Sequence, residues 1–275
     1  MKPIALGALA VLALCAAAPQ PATRLHYTGY ALGLPVMSFT IDLAQTDVAQ
    51  TDVAQTGRAY DVAVDYRTTG VWGALFPMRR QMISQGVSTA AGPRPARVEV
   101  NSQMRGRVFH AVVRFGAGGP TVQILSAPLP GDDPRDRFQP IPAALTADST
   151  DTISAVLAVL RDEAANGRCD ADVHVFDGRM LSELQAASAP DDTIAADHGS
   201  LFAGTAHKCS FTGRMLAGFP PPPNDNQSRD RRPPPAGLAW IAPVGPAGAM
   251  LPVRVSFGGA GGRLLTFYLD ARQAD

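Results

Sequence analysis

The chain is poor in charge and has no excess of either sign. Charged residues fill 17% of its 275 positions, with 24 Lys+Arg against 24 Asp+Glu. A nucleic-acid binder shows a basic excess on one face or segment, so that class is excluded. Only three cysteines are present and none stands in a C-x-x-C pair, which removes the common zinc and dithiol redox signatures. Past the N-terminal segment no apolar run approaches the roughly 20 residues of a membrane-spanning helix. The compact catalytic signatures are missing as well. There is no H-E-x-x-H, no G-x-S-x-G and no Walker loop.

What is present is apolar residues at 46%, enough for a real core, with Gly 26 and Pro 24, which favour turns and short strands. The first residues have three parts: Lys2, the apolar run Ile4 to Leu14, and the small residues Cys15-Ala16-Ala17-Ala18. This is the pattern of a cleaved secretory signal, with the cut placed after Ala17. Lipid attachment at Cys15 is disfavoured, because Leu14 occupies the place where a small residue is needed. Residues 1–17 are therefore read as signal peptide and 18–275 as one exported, periplasmic, β-rich domain. In an oxidising compartment the remaining pair, Cys169 and Cys209, is expected to form a disulfide.

Period-two alternation dominates the rest. Met37 to Leu43, Tyr60 to Tyr66, Val98 to Ser102 and Phe109 to Phe115 each alternate apolar and polar residues. Thr121 to Leu125, Val173 to Phe176, Ala203 to Phe211, Leu238 to Ile241, Pro252 to Phe257 and Leu264 to Leu269 are further strand candidates. Flexible loops are expected near 44–58, which holds the tandem repeat QTDVA-QTDVA, and near 220–236, where two proline blocks bar a ladder. One helix interrupts the strands. Its cap lies among Asp148 to Asp151, its stripe is Ile153, Val156, Leu157 and Leu160, and Asn166-Gly167 stops it. The expected fold is mainly β: a curved antiparallel sheet or half-open barrel with one main helix packed on it.

Chemistry is sparse. His174 and His207 fall on strands that the bridge brings together, with Asp177 nearby, yet isolated strand histidines are usually surface or hydrogen-bonded residues. Asp132, Asp133 and Asp136 lie in a proline-rich loop and read as solvated. No catalytic residue, metal or cofactor is assigned. The most unusual stretch is Thr68 to Met78, which gathers Val71, Trp72, Leu75, Phe76 and Met78 ahead of Arg79-Arg80. It reads either as a buried helical turn plugging one end of a barrel or as the lip of an apolar cavity, with Arg79 set for an acidic head group.

Thr69-Gly70 with its aromatic run, Ser84-Gln85-Gly86, Asp151-Thr152-Ile153-Ser154, Gly167-Arg168-Cys169, Phe176-Asp177-Gly178-Arg179 and Ala217-Gly218-Phe219 form a set. In this order they resemble the bacterial domain-of-unknown-function family 3108, over about Leu25 to Leu269. The resemblance implies export in a Gram-negative bacterium and carries no assigned chemistry. The strand pattern is also similar to the half-open barrels of periplasmic lipoprotein carriers, a likeness of fold only. The expected function is a non-enzymatic binding module for an apolar or lipid-like ligand. The alternative is a structural or protein-interaction factor of the cell envelope whose barrel is filled. A hydrolase assembled from scattered residues is the third class, and the missing signatures disfavour it.

Overall fold

The structure is a computed structural model, and it describes residues 23–48, 57–104, 107–126, 140–218, 236–245, 248–259 and 262–274. The signal segment with Cys15, the second QTDVA copy, Asp132, Asp133, Asp136 and the tract Pro220–Pro235 lie outside the described residues.

The chain begins with β1 (Thr23–Ala31), β2 (Leu34–Val48) and β3 (Gly57–Thr68), followed by a short α1 (Gly70–Leu75). Four strands continue the sheet: β4 (Met78–Thr89), β5 (Gly92–Met104), β6 (Arg107–Gly116) and β7 (Gly119–Ser126). Two helices come next, α2 (Ala143–Thr146) and α3 (Thr152–Asn166). The second set of strands is β8 (Ala171–Phe176), β9 (Leu181–Ile194), β10 (Gly204–Ala217), β11 (Ala236–Val244), β12 (Ala249–Gly259) and β13 (Gly262–Ala274). All are antiparallel neighbours in one 13-stranded sheet, ordered β7-β6-β5-β4-β3-β2-β1-β13-β12-β11-β10-β9-β8. The mainly-β expectation therefore holds. β1 pairs with both β2 and β13, so the first and last strands share the middle of the sheet and its two edges are β7 and β8. No helix among the described residues is long and apolar enough to cross a membrane.

The alternation in the sequence maps onto the two faces. Leu25 and Tyr27 of β1, Phe39 and Ile41 of β2, Val62 and Val64 of β3, and Val98 and Val100 of β5 are packed into the core. Charged pairs such as Arg24–Asp42 and Arg79–Asp65 occupy the other face. Two segments of the expected loop near 44–58 are strand instead. Gln45 to Val48 continue β2 and Gly57–Arg58 continue β3, with Gln45 opposite Tyr60. The hairpin ladder thus runs into the first repeat copy.

The sheet is curled, and its edges meet through side chains. Phe176 and Leu181 at the β8–β9 turn share a buried cluster with Phe109, Ala111 and Val113 of β6. Gly178 in that turn has φ 91°, and a Cβ there would lie 3.0 Å from a Val113 methyl. The turn needs both the left-handed conformation and the missing side chain. Arg179 then covers the Phe109 ring at 4.4 Å.

α3 is capped as the sequence predicts. Asp151 accepts from the backbone N–H of Ile153 at 2.8 Å and of Ser154 at 3.2 Å, and Gly167 ends the helix at φ 64°. Its N-terminal turn is tied to the concave face twice. Ser84 of β4 donates to Asp151 at 3.1 Å, and Tyr60 of β3 lies 2.7 Å from the Ser154 hydroxyl. Near the other end, Arg161 donates to the Thr89 and Ala90 carbonyls of the β4–β5 turn. The buried Glu163 bonds His207 of β10, and Cys169 is bridged to Cys209. The helix is thus anchored to β-strands on both sides of the curl.

Candidate functional site

Between the cluster built on β3–β6 and the one built on β1 and β11–β13 lies a cavity of about 470 Å³. Three groups of residues wall it. The first is the concave face of β1–β4, in transverse rows fixed by the strand register. Leu25, Ile41, Val64 and Met82 form one row, and Tyr27, Phe39, Tyr66 and Arg80 form the next. The second is the apolar stripe of α3: Ile153, Val156, Leu157 and Leu160. The third comes from the β8–β9 region and β12, including Val175, Met180, Leu184 and Leu251. The volume is that of a small-molecule site, and the wall has the composition of one: apolar, with a few placed polar groups.

Those polar groups gather in the Tyr27 row. Arg80 donates to Asp177 at 3.1 Å. Asp177 is held in turn by the backbone N–H groups of Arg179 at 3.0 Å and Met180 at 2.9 Å. Burial works against the charge of Arg80, and Tyr66 and Asp177 beside it more than offset that, so the guanidinium is held charged. Burial pushes the Tyr27 phenol well above its ordinary range, so it is a neutral hydroxyl. The Tyr60 phenol, at the α3 end, is pushed up to about 12, first by burial.

The aromatic stretch is exposed, which departs from the buried-plug reading. α1 holds no buried residue: Val71 and Leu75 are 74% and 64% exposed, and Trp72 and Phe76, stacked at 5.7 Å, are 43% and 42% exposed. It is not a buried plug. None of Val71, Trp72, Leu75, Phe76, Met78 and Arg79 lines the 470 Å³ cavity. The segment follows Tyr66 by a few residues and precedes Arg80, so it stands at the strand ends beside the polar row, as an exposed apolar rim. Met78 and Arg79 begin β4 rather than a helical turn. Strand alternation turns Arg79 to the outer face, where it pairs with Asp65 at 2.7 Å, and turns Arg80 inward. The arginine that reaches the cavity is the neighbour of the one assigned.

The histidines are separated. His174 is exposed on β8, Asp177 is engaged by Arg80, and His207 bonds Glu163 beside the disulfide. Donor atoms of Glu163, His207, Cys169 and Cys209 lie within 4.8 Å of one another, but the two sulfurs are bonded to each other. The group is a latch between α3 and β10.

One constellation was not legible in the sequence. His26 of β1 meets Asp270 of β13 through Nδ1 at 2.5 Å and Ser38 of β2 through Nε2 at 3.0 Å. The connectivity is that of a nucleophile, base and orienter. Ser38, however, sits in mid-strand between β1 and β3, where its backbone N–H is committed to the ladder, and it does not line the 470 Å³ cavity. The trio links the three central strands β2, β1 and β13.

In comparisons with known proteins, no curated relative matches the chain. Two solved structures share its outline at low identity. A β-barrel-like protein of domain of unknown function DUF1849 from Brucella abortus is 8% identical, with TM-score 0.46, covering 93% of this chain and 98% of its own. A candidate lipoprotein from Parabacteroides distasonis is 11% identical, with TM-score 0.34, covering 93% and 97%. Residues 24–263 match the family model described as protein of unknown function (DUF3108), and with nearly the whole described chain inside that match, the protein belongs to the DUF3108 family.

Proposed function

We propose that this chain is a non-enzymatic binding module of the periplasm that holds an apolar or lipid-like ligand against the concave face of its sheet. One observation carries the reading. Where the sheet and α3 face each other, the interior is not filled by side chains: about 470 Å³ remains, walled mainly by Leu, Ile, Val, Phe and Met. The space is a half-open cleft, so its apolar lining faces water and forfeits the dispersion contacts and burial that packed neighbours would supply. A bound apolar molecule restores both. The paired cysteines and the N-terminal signal pattern support export.

The test is native mass spectrometry of protein taken from the periplasm of the expressing cell, followed by solvent extraction. A stoichiometric apolar adduct is expected. A bare mass, together with failure to take up a neutral apolar dye, would overturn the reading in favour of an envelope factor that acts by protein contact. The exposed apolar residues of α1 are the surface such a factor would use.

A further inference from the structure

Two hydrogen-bond donors in the cavity wall have no partner among the described residues. Tyr27 is 3% exposed and its hydroxyl is unpaired. Arg80 Nε is buried and unpaired, although the same guanidinium donates to Asp177 through Nη2. Buried donors are almost always satisfied, because an unmade bond costs the full desolvation of the group. Both residues belong to one transverse row, separated by Phe39 and Tyr66. That row lies at the opposite end of the cavity from the ties between α3 and the sheet at Tyr60 and Ser84.

The charge of the wall narrows the ligand further. Among the described lining residues Arg80 is the one cation, and Asp177 and Glu183 are the two anions. Arg80 is already balanced by Asp177, and Glu183 pairs with Arg214 at 3.0 Å. An anionic head would meet no free positive charge and two carboxylates in an apolar surrounding. An ammonium head carries donors only and would leave Arg80 Nε as it is. What is missing is an acceptor for the Tyr27 hydroxyl.

We propose that the ligand is a single-chain amphiphile whose head presents an uncharged carbonyl, as in an acyl ester or amide. Its chain lies along the α3 stripe, and its carbonyl accepts from the Tyr27 hydroxyl. This deepens the binding-module reading and rests on it.

The experiment displaces a neutral apolar dye from the mature, disulfide-bonded protein with four probes of one chain length: methyl dodecanoate, dodecanoate, dodecylamine and dodecane. It is run on wild type and on Tyr27→Phe, which keeps the ring and removes the hydroxyl. Methyl dodecanoate is expected to bind tightest, and Tyr27→Phe to weaken it about five- to tenfold while leaving dodecane unchanged. The ligand-free variant is expected to melt about 2 °C higher, because the unpaired hydroxyl is gone. Dodecanoate or dodecylamine matching the ester, or an ester affinity indifferent to Tyr27→Phe, would overturn the carbonyl head while the module reading stands. Failure of the dye and all four probes to bind would overturn both.

Discussion

The Tyr60 hydroxyl of β3 reaches the Ser154 hydroxyl of α3 at 2.7 Å by passing over Gly86 of the neighbouring strand. A Cβ at position 86 would lie 2.4 Å from Tyr60 Oη and 2.2 Å from the Arg94 carbonyl oxygen. Gly86→Ala therefore forces the sheet and the helix apart at once. The expected cost is about 2–3 kcal/mol in urea unfolding. Tyr60→Phe, which loses the bond but adds no clash, should cost about 1 kcal/mol. Equal costs for the two would show that the close approach does not matter.

Asp151 joins the cap of α3 to the sheet. Its carboxylate takes two backbone N–H groups and the hydroxyls of Ser84 and Ser154. Asp151→Ala removes the cap and strands the serines, for an expected loss of about 2–4 kcal/mol. Asp151→Asn keeps the cap, and the hydroxyls can turn to accept from its amide. It should stay within about 1 kcal/mol of wild type.

The pH dependence of these variants has a definite sign. Burial, opposed by the hydrogen bonds, raises the Asp151 pKa in the folded state. Its contribution to stability is then greatest below the ordinary aspartate value and is lost as pH rises through the raised value. Wild type should gain on Asp151→Asn as pH falls through that window, read from denaturation midpoints across a pH series.

Glu99 behaves in the opposite way. Its hydrogen bonds from Arg97 and then His110 lower its pKa. Its contribution is present above the ordinary glutamate value and fades as pH falls through the lowered one. Glu99→Gln should flatten the acid limb of the stability curve and leave the Asp151 effect untouched.

The Cys169–Cys209 bridge closes a loop with a sequence separation of 40. Replacing both by alanine should cost about 4 kcal/mol in the chain-entropy model. Non-reducing peptide mapping of exported protein should recover the two cysteines joined.

The six recognition motifs explain why the family could be read from the sequence and a mechanism could not. Ser84 and Gly86 seat α3, Asp151 caps it, and Gly167 and Cys169 end and pin it. Phe176, Asp177, Gly178 and Arg179 bring the β8–β9 turn onto β6. These residues curl and lock the sheet. Three strands escaped the alternation rule for local reasons. β4 places Ser84 and Gly86 on its inner face, so its buried side does not look apolar. β1 interrupts its inner row with Gly29, which Phe267 covers. β9 contains Pro190, tolerated because β8 pairs only with Leu181 to Ala186 and leaves that edge open. The cavity itself depends on long-range register and on where α3 lies, and no local pattern encodes either. Even so, the choice between Arg79 and Arg80 was decided by strand parity, once β4 was known to begin at Met78.

The most direct test of a ligand-holding interior is to fill it. Ile41 and Leu157 face the same cavity from β2 and α3. Native mass spectra of wild type, Ile41→Trp and Leu157→Trp purified from the expressing cell should show the apolar adduct on wild type and its loss from both variants, with their folded charge-state distributions retained. An adduct that persists at full occupancy in both folded variants would contradict a ligand held in this cavity.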